Sequence, residues 1–264
     1  VLVRIVSAII GIPLLLFIVT TGGILLKLSV VVIAYIGLNE FYNAFKSIGI
    51  QPSKPVGLIS IALLTVLTIL WMSAEIMMFW VFIVMLIALV THLFDPKMNT
   101  NDLAVTVLGL FYVVFFMFHI VLVSEIPVYN GLIWMIFLSA FTTDTFAYFS
   151  GFFFGSKKLC PTISPKKTVE GSIGGVLGSI LSSAVFAYFF NMDLIYHCMI
   201  IGFIGSILAQ IGDLTASRFK RYVGIKDYGK IMPGHGGVLD RFDSILFTAP
   251  TVYYYIVFFL IGLR

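Results

Sequence analysis

Residues 103–123, LAVTVLGLFYVVFFMFHIVLV, run for twenty-one positions without an Asp, Glu, Lys or Arg. About 20 apolar residues in helical form cross the roughly 30 Å hydrocarbon core of a bilayer. Backbone polar groups leave only helices or closed barrels as spanning structures, and an unbroken apolar run rather than a ten-residue alternation selects the helix. The rest of the chain has the same character. Its 264 residues are 60% hydrophobic and 11% charged, with mean hydropathy +1.10, whereas a soluble domain is about a quarter charged. Eight more such runs lie at approximately 2–21, 24–45, 56–74, 76–94, 131–154, 170–190, 194–214 and 243–262. The expected fold is therefore all-α, a polytopic membrane protein with about nine transmembrane helices. It reads as a single integral membrane domain over 1–264, with N-terminal helices in 1–130 and a motif-bearing half in 131–264. The first run reads as a span rather than a signal peptide, being too long for an h-region and lacking a small-residue cleavage site.

Sorting the sixteen basic residues over the connections gives the expected orientation. Arg4, Lys46, Lys54, Lys97, Lys157, Lys158, Lys166, Lys167, Arg218, Lys220, Arg221, Lys226, Lys230 and Arg241 fall on one side, and only Lys27 and Arg264 on the other. The positive-inside rule makes the first side, with the N-terminus, cytoplasmic. The loops 155–169 and 215–242 hold ten of those fourteen cations. Such density suits either an anionic-lipid patch or a polyanion site.

The carboxylates bear on that choice, because an acid at a helix centre costs about 2.5–3.5 kcal/mol to insert. Glu40, Glu75, Asp95, Asp102, Glu125 and Asp193 sit near expected span ends or in short loops, where water would reach them. Asp144 lies eleven residues before Gly155, about 16 Å along a helix and near the midplane. Asp213 stands where the eighth run gives way to the basic loop, and Asp240 and Asp243, spaced i, i+3, stand where that loop enters the ninth. Carboxylates gathered beside basic loops suit Mg2+, which takes one or two carboxylates together with phosphate and water. Ion pairing among loop side chains is the competing account. The glycines of Pro233-Gly-His-Gly-Gly237 would let backbone N–H groups approach a phosphate, or would simply make a tight turn. No Walker A or Rossmann glycine pattern is present, so the familiar soluble nucleotide folds are not indicated. Gly171, Gly174, Gly175 and Gly178 read as a close helix-packing stripe. His92, His119 and His197 read as structural, and Cys160 and Cys198 form no metal or disulfide pattern.

Residues 217–243, SRFKRYVGIKDYGKIMPGHGGVLDRFD, closely resemble the signature of the phosphatidate cytidylyltransferase family, the CDP-diacylglycerol synthases. The matched positions are Ser217, Phe219, Lys220, Arg221, Lys226, Asp227, Gly229, Pro233, His235, Gly236, Gly237, Val238, Asp240, Arg241, Phe242 and Asp243. Met232 departs by an apolar exchange. Upstream, Asp144, Thr145, Ala147 and Tyr148, then Ser164, Pro165, Lys167, Thr168, Glu170 and Gly171, match two further family segments. The resemblance is motif-specific over roughly 140–244 and rests on span count alone over 1–130.

That resemblance implies conversion of CTP and phosphatidate to CDP-diacylglycerol and pyrophosphate, with Mg2+ required and K+ at a second metal site. The charge demands of that reaction, placed on the matched positions, make Lys226, Asp227, His235, Asp240 and Arg241 the candidate catalytic set, with His235 read as a binding group rather than a base, and Ser164, Lys167, Thr168, Lys220, Arg221, Gly236 and Gly237 the candidate substrate contacts. In the family, aspartates matching Asp213, Asp240 and Asp243 form the metal site, and Asp144 joins that set here on its midplane position alone. The expected setting is the cell (inner) membrane with the site facing the cytoplasm, membrane lipid around it, no nucleic-acid partner and a homodimeric assembly. Two other readings compete: a CTP-dependent polyprenol kinase, which would transfer the γ-phosphate, and a transporter of an anionic solute, for which no inverted repeat of interrupted helices is evident.

Overall fold

The computed structural model describes residues 2–70, 74–231, 234 and 236–262, with backbone alone for 2–8 and 74. His235 of the implied catalytic set, with Met232 and Pro233 beside it, lies outside the described residues. Each of the nine apolar runs is helical where described. In order they are α1 (Leu2–Thr21), α2 (Gly23–Lys46), α3 (Lys54–Leu70), α4 (Ala74–Phe94), a continuous rod of α5 (Thr100–Gly109), a π-helical turn (Leu110–Phe115) and α6 (Phe116–Ser124), then α7 (Ile133–Phe154), α8 (Val169–Phe190), α9 (Ile195–Tyr222) and α11 (Ile245–Tyr255). The short α10 (Leu239–Phe242) precedes the last of these. Among the described residues, six helical segments are long and apolar enough to cross a bilayer, and Ile9–Thr21, Lys54–Leu70 and Ile245–Ile261 are shorter apolar helices. The protein is an all-α, polytopic integral membrane protein.

The structure departs from the sequence expectations in three places. The loop 155–169 contains an antiparallel hairpin, β1 (Lys158–Cys160) with β2 (Ser164–Thr168), in which Cys160 pairs with Ser164. Helix α9 continues eight residues past the expected end at 214, because no Gly or Pro interrupts 213–222; Gly224, at φ 74°, follows its end. Arg218, Lys220 and Arg221 are thus helical rather than in a loop. Finally, water does not reach Glu40 or Asp102. Asp102 is 1% exposed. It forms a capping box with Asn99 at the start of α5 and also accepts the Gln51 N–H at 2.6 Å, so its charge is met by backbone donors.

Two compact units are distinguishable: residues 1–125 with 222–241, and residues 126–221 with 242–264. In the first, α2 is central. A Cβ on Gly109 would lie 2.5 Å from the Tyr42 ring, so the glycine is what lets α5 approach α2, and the Tyr42 hydroxyl donates to Thr106 O at 2.8 Å. Trp80 Nε1 donates to Ser60 O at 2.8 Å and ties α4 to α3. In the second unit, α7 and α8 pack along the predicted glycine stripe. A Cβ on Gly178 would fall 2.1 Å from Phe146 Cγ, and one on Gly174 2.0 Å from Ser150 Oγ. Small residues let apolar helices in lipid approach closely enough for van der Waals packing to hold them.

Candidate functional site

The hairpin carries the first group of polar side chains, and its own carboxylate fixes it. Glu170 accepts from Ser156 Oγ at 2.6 Å and from the backbone N–H groups of Ser156 and Lys157, pinning the chain as it leaves α7. Thr168 is the N-cap of α8; its Oγ1 accepts the Gly171 N–H at 3.1 Å. Gly155 is required there, since a Cβ would come 2.2 Å from Gly151 O and 2.8 Å from Thr168 Cγ2. Replacing Thr168 by Ala is expected to cost about 1 kcal/mol through the lost cap. That should lower the unfolding temperature in detergent by about 2–4 °C; an unchanged unfolding temperature would remove the capping role.

This anchoring places Lys167 against α9, where it ion-pairs with Asp213. Burial lowers the Lys167 pKa, while Asp144 and Asp243 act in the opposite direction and Lys220 adds to the lowering. Asp144, halfway along α7, lines a cavity of about 420 Å3 with Lys166, Lys167, Thr168, Ser172 and Gln210. Tyr148, Phe152 and Leu159 supply apolar wall. The cavity accounts for a carboxylate in the middle of an apolar helix: Asp144 faces open space bordered by lysines.

Asp243 is buried, and its Oδ1 accepts the Ser244 N–H at 2.8 Å. Gly212 allows α9 to lie against it, because a Cβ there would come 2.6 Å from Asp243 O. That close approach brings the residue next to Asp213 onto the start of the final helix. Lys220, two helical turns beyond Asp213 and so on the same face, is also buried. Arg221 Nε donates to Ile163 O of the hairpin turn at 3.4 Å, and Ser164 opens β2 beside it.

Gln210 was missed by the sequence reading. Its amide donates to Ser172 O at 3.3 Å and its Oε1 accepts the Ser172 hydroxyl, which joins α9 to α8 inside the cavity wall. A readable signal existed: Gln210 lies i−3 from Asp213 in an otherwise apolar stretch of helix, hence on the same face.

The remaining expected residues belong to the other unit. Lys226, Asp227 and Arg241 are exposed there. Asp240 is 6% exposed, and its Oδ2 accepts the N–H groups of Tyr228 at 2.8 Å and Gly237 at 2.9 Å. Gly236, at φ 90°, adopts a left-handed conformation that disfavours a side chain, and a Cβ would also sit 2.9 Å from Asp240 Oδ2. Of the four expected metal ligands, Asp144, Asp213 and Asp243 are therefore in one unit and Asp240 in the other. Among the described residues, no three His, Cys, Asp or Glu side chains stand close enough to hold a metal by themselves. One of them, Asp213, pairs instead with a cation, the Lys167 ammonium, whose charge Asp144 and Asp243 also favour. A donor set of one or two hard oxygens completed by substrate phosphates fits Mg2+, which is seldom caged by protein alone.

Comparison with known proteins bears on the whole chain. The cytidylyltransferase family matches residues 2–259. The phosphatidate cytidylyltransferase of Staphylococcus epidermidis is 36% identical to this chain, over 94% of the chain and 96% of the relative. That of Staphylococcus aureus is 36% identical with the same coverage. The phosphatidate cytidylyltransferase of Synechocystis is 34% identical over 97% of both.

Proposed function

This chain belongs to the cytidylyltransferase family, and from that premise we propose that it converts CTP and phosphatidate to CDP-diacylglycerol and pyrophosphate. The observation that carries the reading is the Lys167–Asp213 ion pair at a cavity lined by Asp144, in a chain that otherwise has few charges. A polyprenol kinase or an anion transporter is not favoured, because the near full-length relatives carry the cytidylyltransferase name.

The nucleophile is the phosphate of phosphatidate. A phosphate monoester has its second pKa near 6, so at neutral pH it is already an anion and no side chain has to remove a proton. One of its oxygens bonds to the α-phosphorus of CTP while the bond from that phosphorus to the β-phosphate bridging oxygen breaks, and pyrophosphate leaves with the electron pair. The obstacle is repulsion between two polyanions. Lys167 and Lys220 answer it with positive charge at partly desolvated positions, where each charge acts more strongly than in water. Asp213 holds the Lys167 amine in place until phosphates compete for it. Asp213 and Asp243 are the side chains that would hold Mg2+ together with the phosphates, and the ion would supply charge neutralisation of the pyrophosphate.

The apolar rim of Tyr148 and Phe152 beside Asp144 suits a substrate whose phosphate enters the cavity while its acyl chains stay in lipid. The distribution of basic residues supports a cytoplasmic site in the cell membrane. The family resemblance supports a homodimer, which mass measurement in detergent would check. The reaction itself is tested by supplying phosphatidate and Mg2+ with CTP labelled separately at its α and γ phosphates. Label from the α position is expected in lipid. Label from the γ position in lipid would overturn the proposal in favour of the kinase.

A further inference from the structure

Glu40 has no place in the signature or in the proposed chemistry, yet it is a carboxylate only 6% exposed on a helix long and apolar enough to span the membrane. Its two oxygens are engaged by consecutive amides almost two hundred residues away in sequence. Oε1 accepts the Val238 N–H at 3.0 Å and Oε2 the Leu239 N–H at 2.8 Å. Two glycines make room for it. A Cβ on Gly229 would lie 2.2 Å from Glu40 Oε1, and one on Gly237 2.5 Å from Oε2. Neither glycine has a positive φ, so their smallness answers to close approach rather than to backbone conformation: first to this carboxylate, and at Gly229 also to Gly237 Cα, 3.1 Å from where a Cβ would lie.

The neighbouring contacts point the same way. The Phe41 ring lies tilted against Tyr228, with ring centroids 6.3 Å apart, and that of Phe45 against Tyr222 at 6.2 Å. Ser47 Oγ donates to Val223 O at 3.2 Å. The end of α2 is thus a dock for residues 222–241, and Glu40 is its polar centre. Together with Asp240 it satisfies four backbone N–H groups of the signature segment: Tyr228, Gly237, Val238 and Leu239. Charge-assisted bonds of this kind are the stronger class, and they are stronger still away from water.

We propose that Glu40 is a positioning residue for the reaction: it sets the conformation of the turn from Gly236 to Leu239 and thereby the placement of Asp240 and Arg241. The proposal rests on the reading that this signature segment serves the cytidylyl transfer. It requires a carboxylate of this length. Gln in its place would present an amide N–H to one of two backbone donors, and Asp would fall one methylene short.

The test uses the full chain in detergent with phosphatidate, Mg2+ and α-labelled CTP. The unaltered protein must first incorporate the label, which checks the reaction independently of Glu40. Glu40→Gln and Glu40→Asp are then expected to lower kcat at least 10-fold, with KM for CTP changed less than 3-fold and the unfolding temperature within a few degrees of the parent. Hydrogen exchange of the segment containing Val238 and Leu239 should accelerate in both. Because these variants could fail to fold, Gly229→Ala is made in the parent and in Glu40→Ala. The alanine should be damaging in the parent, where its methyl meets the carboxylate, and should add clearly less in the Glu40→Ala background, where only the contact with Gly237 Cα remains. Parent-like kcat and exchange in Glu40→Gln, or equal effects of Gly229→Ala in both backgrounds, would overturn the proposal.

Discussion

Asp243→Asn is expected to lower kcat by about 10^3-fold or more, with Asp213→Asn behaving alike, while both proteins remain folded in detergent. The isosteric change removes a negative charge but keeps the backbone interaction, since the carboxamide oxygen can still accept the Ser244 N–H that Asp243 Oδ1 accepts at 2.8 Å. The expected size is that of losing a principal electrostatic contribution to the transition state. Asp240→Asn is less discriminating, because that carboxylate also takes two loop N–H bonds and a loss would mix charge with conformation. Steady-state rates across an Mg2+ titration provide the measurement. Near-normal turnover of both variants at excess Mg2+ would remove Asp213 and Asp243 from the metal site.

Lys167→Met should lower kcat/KM for CTP by about 100-fold, the cost of one charged donor at a site where anions react. The side chain keeps its length and apolar stem, so hairpin packing changes little. What changes is the field: Asp213 loses its cation, and Asp144 and Asp243 lose the nearby positive charge, leaving the cavity repulsive to phosphate. Lys167→Arg should retain more activity than the Met variant but less than the parent, because a planar guanidinium replaces a compact ammonium. Values for the Met variant within 3-fold of the parent would show that Lys167 holds structure rather than substrate.

The helices were legible because insertion into lipid is largely a local property of each run. Leu103–Val123 has no charged residue to offset its apolar content, and it folds as one helical rod, interrupted only in hydrogen-bond register by the π-turn at Leu110–Phe115. The glycine stripe from Gly171 to Gly178 was legible for a similar reason, since four-residue spacing places small residues on one helical face. Asp144, Lys167 and Asp213 were also visible as charges out of keeping with their surroundings. The extension of α9 to Tyr222 was not anticipated, because the basic residues there resemble a loop by composition although nothing in 213–222 stops a helix.

Composition and periodicity were thus sufficient to establish the membrane, the helices and the residues whose charge demands a purpose, because each of these depends on neighbours within a few turns. Only the tertiary structure could pair Lys167 with Asp213, set Gln210 against Ser172, and turn Glu40 from an expected water-accessible acid into the partner of Val238 and Leu239. A carboxylate near a helix end has the same local sequence whether it meets water or a backbone amide from far along the chain. Which one it meets is decided by how the glycines at 229 and 237 let that distant segment approach.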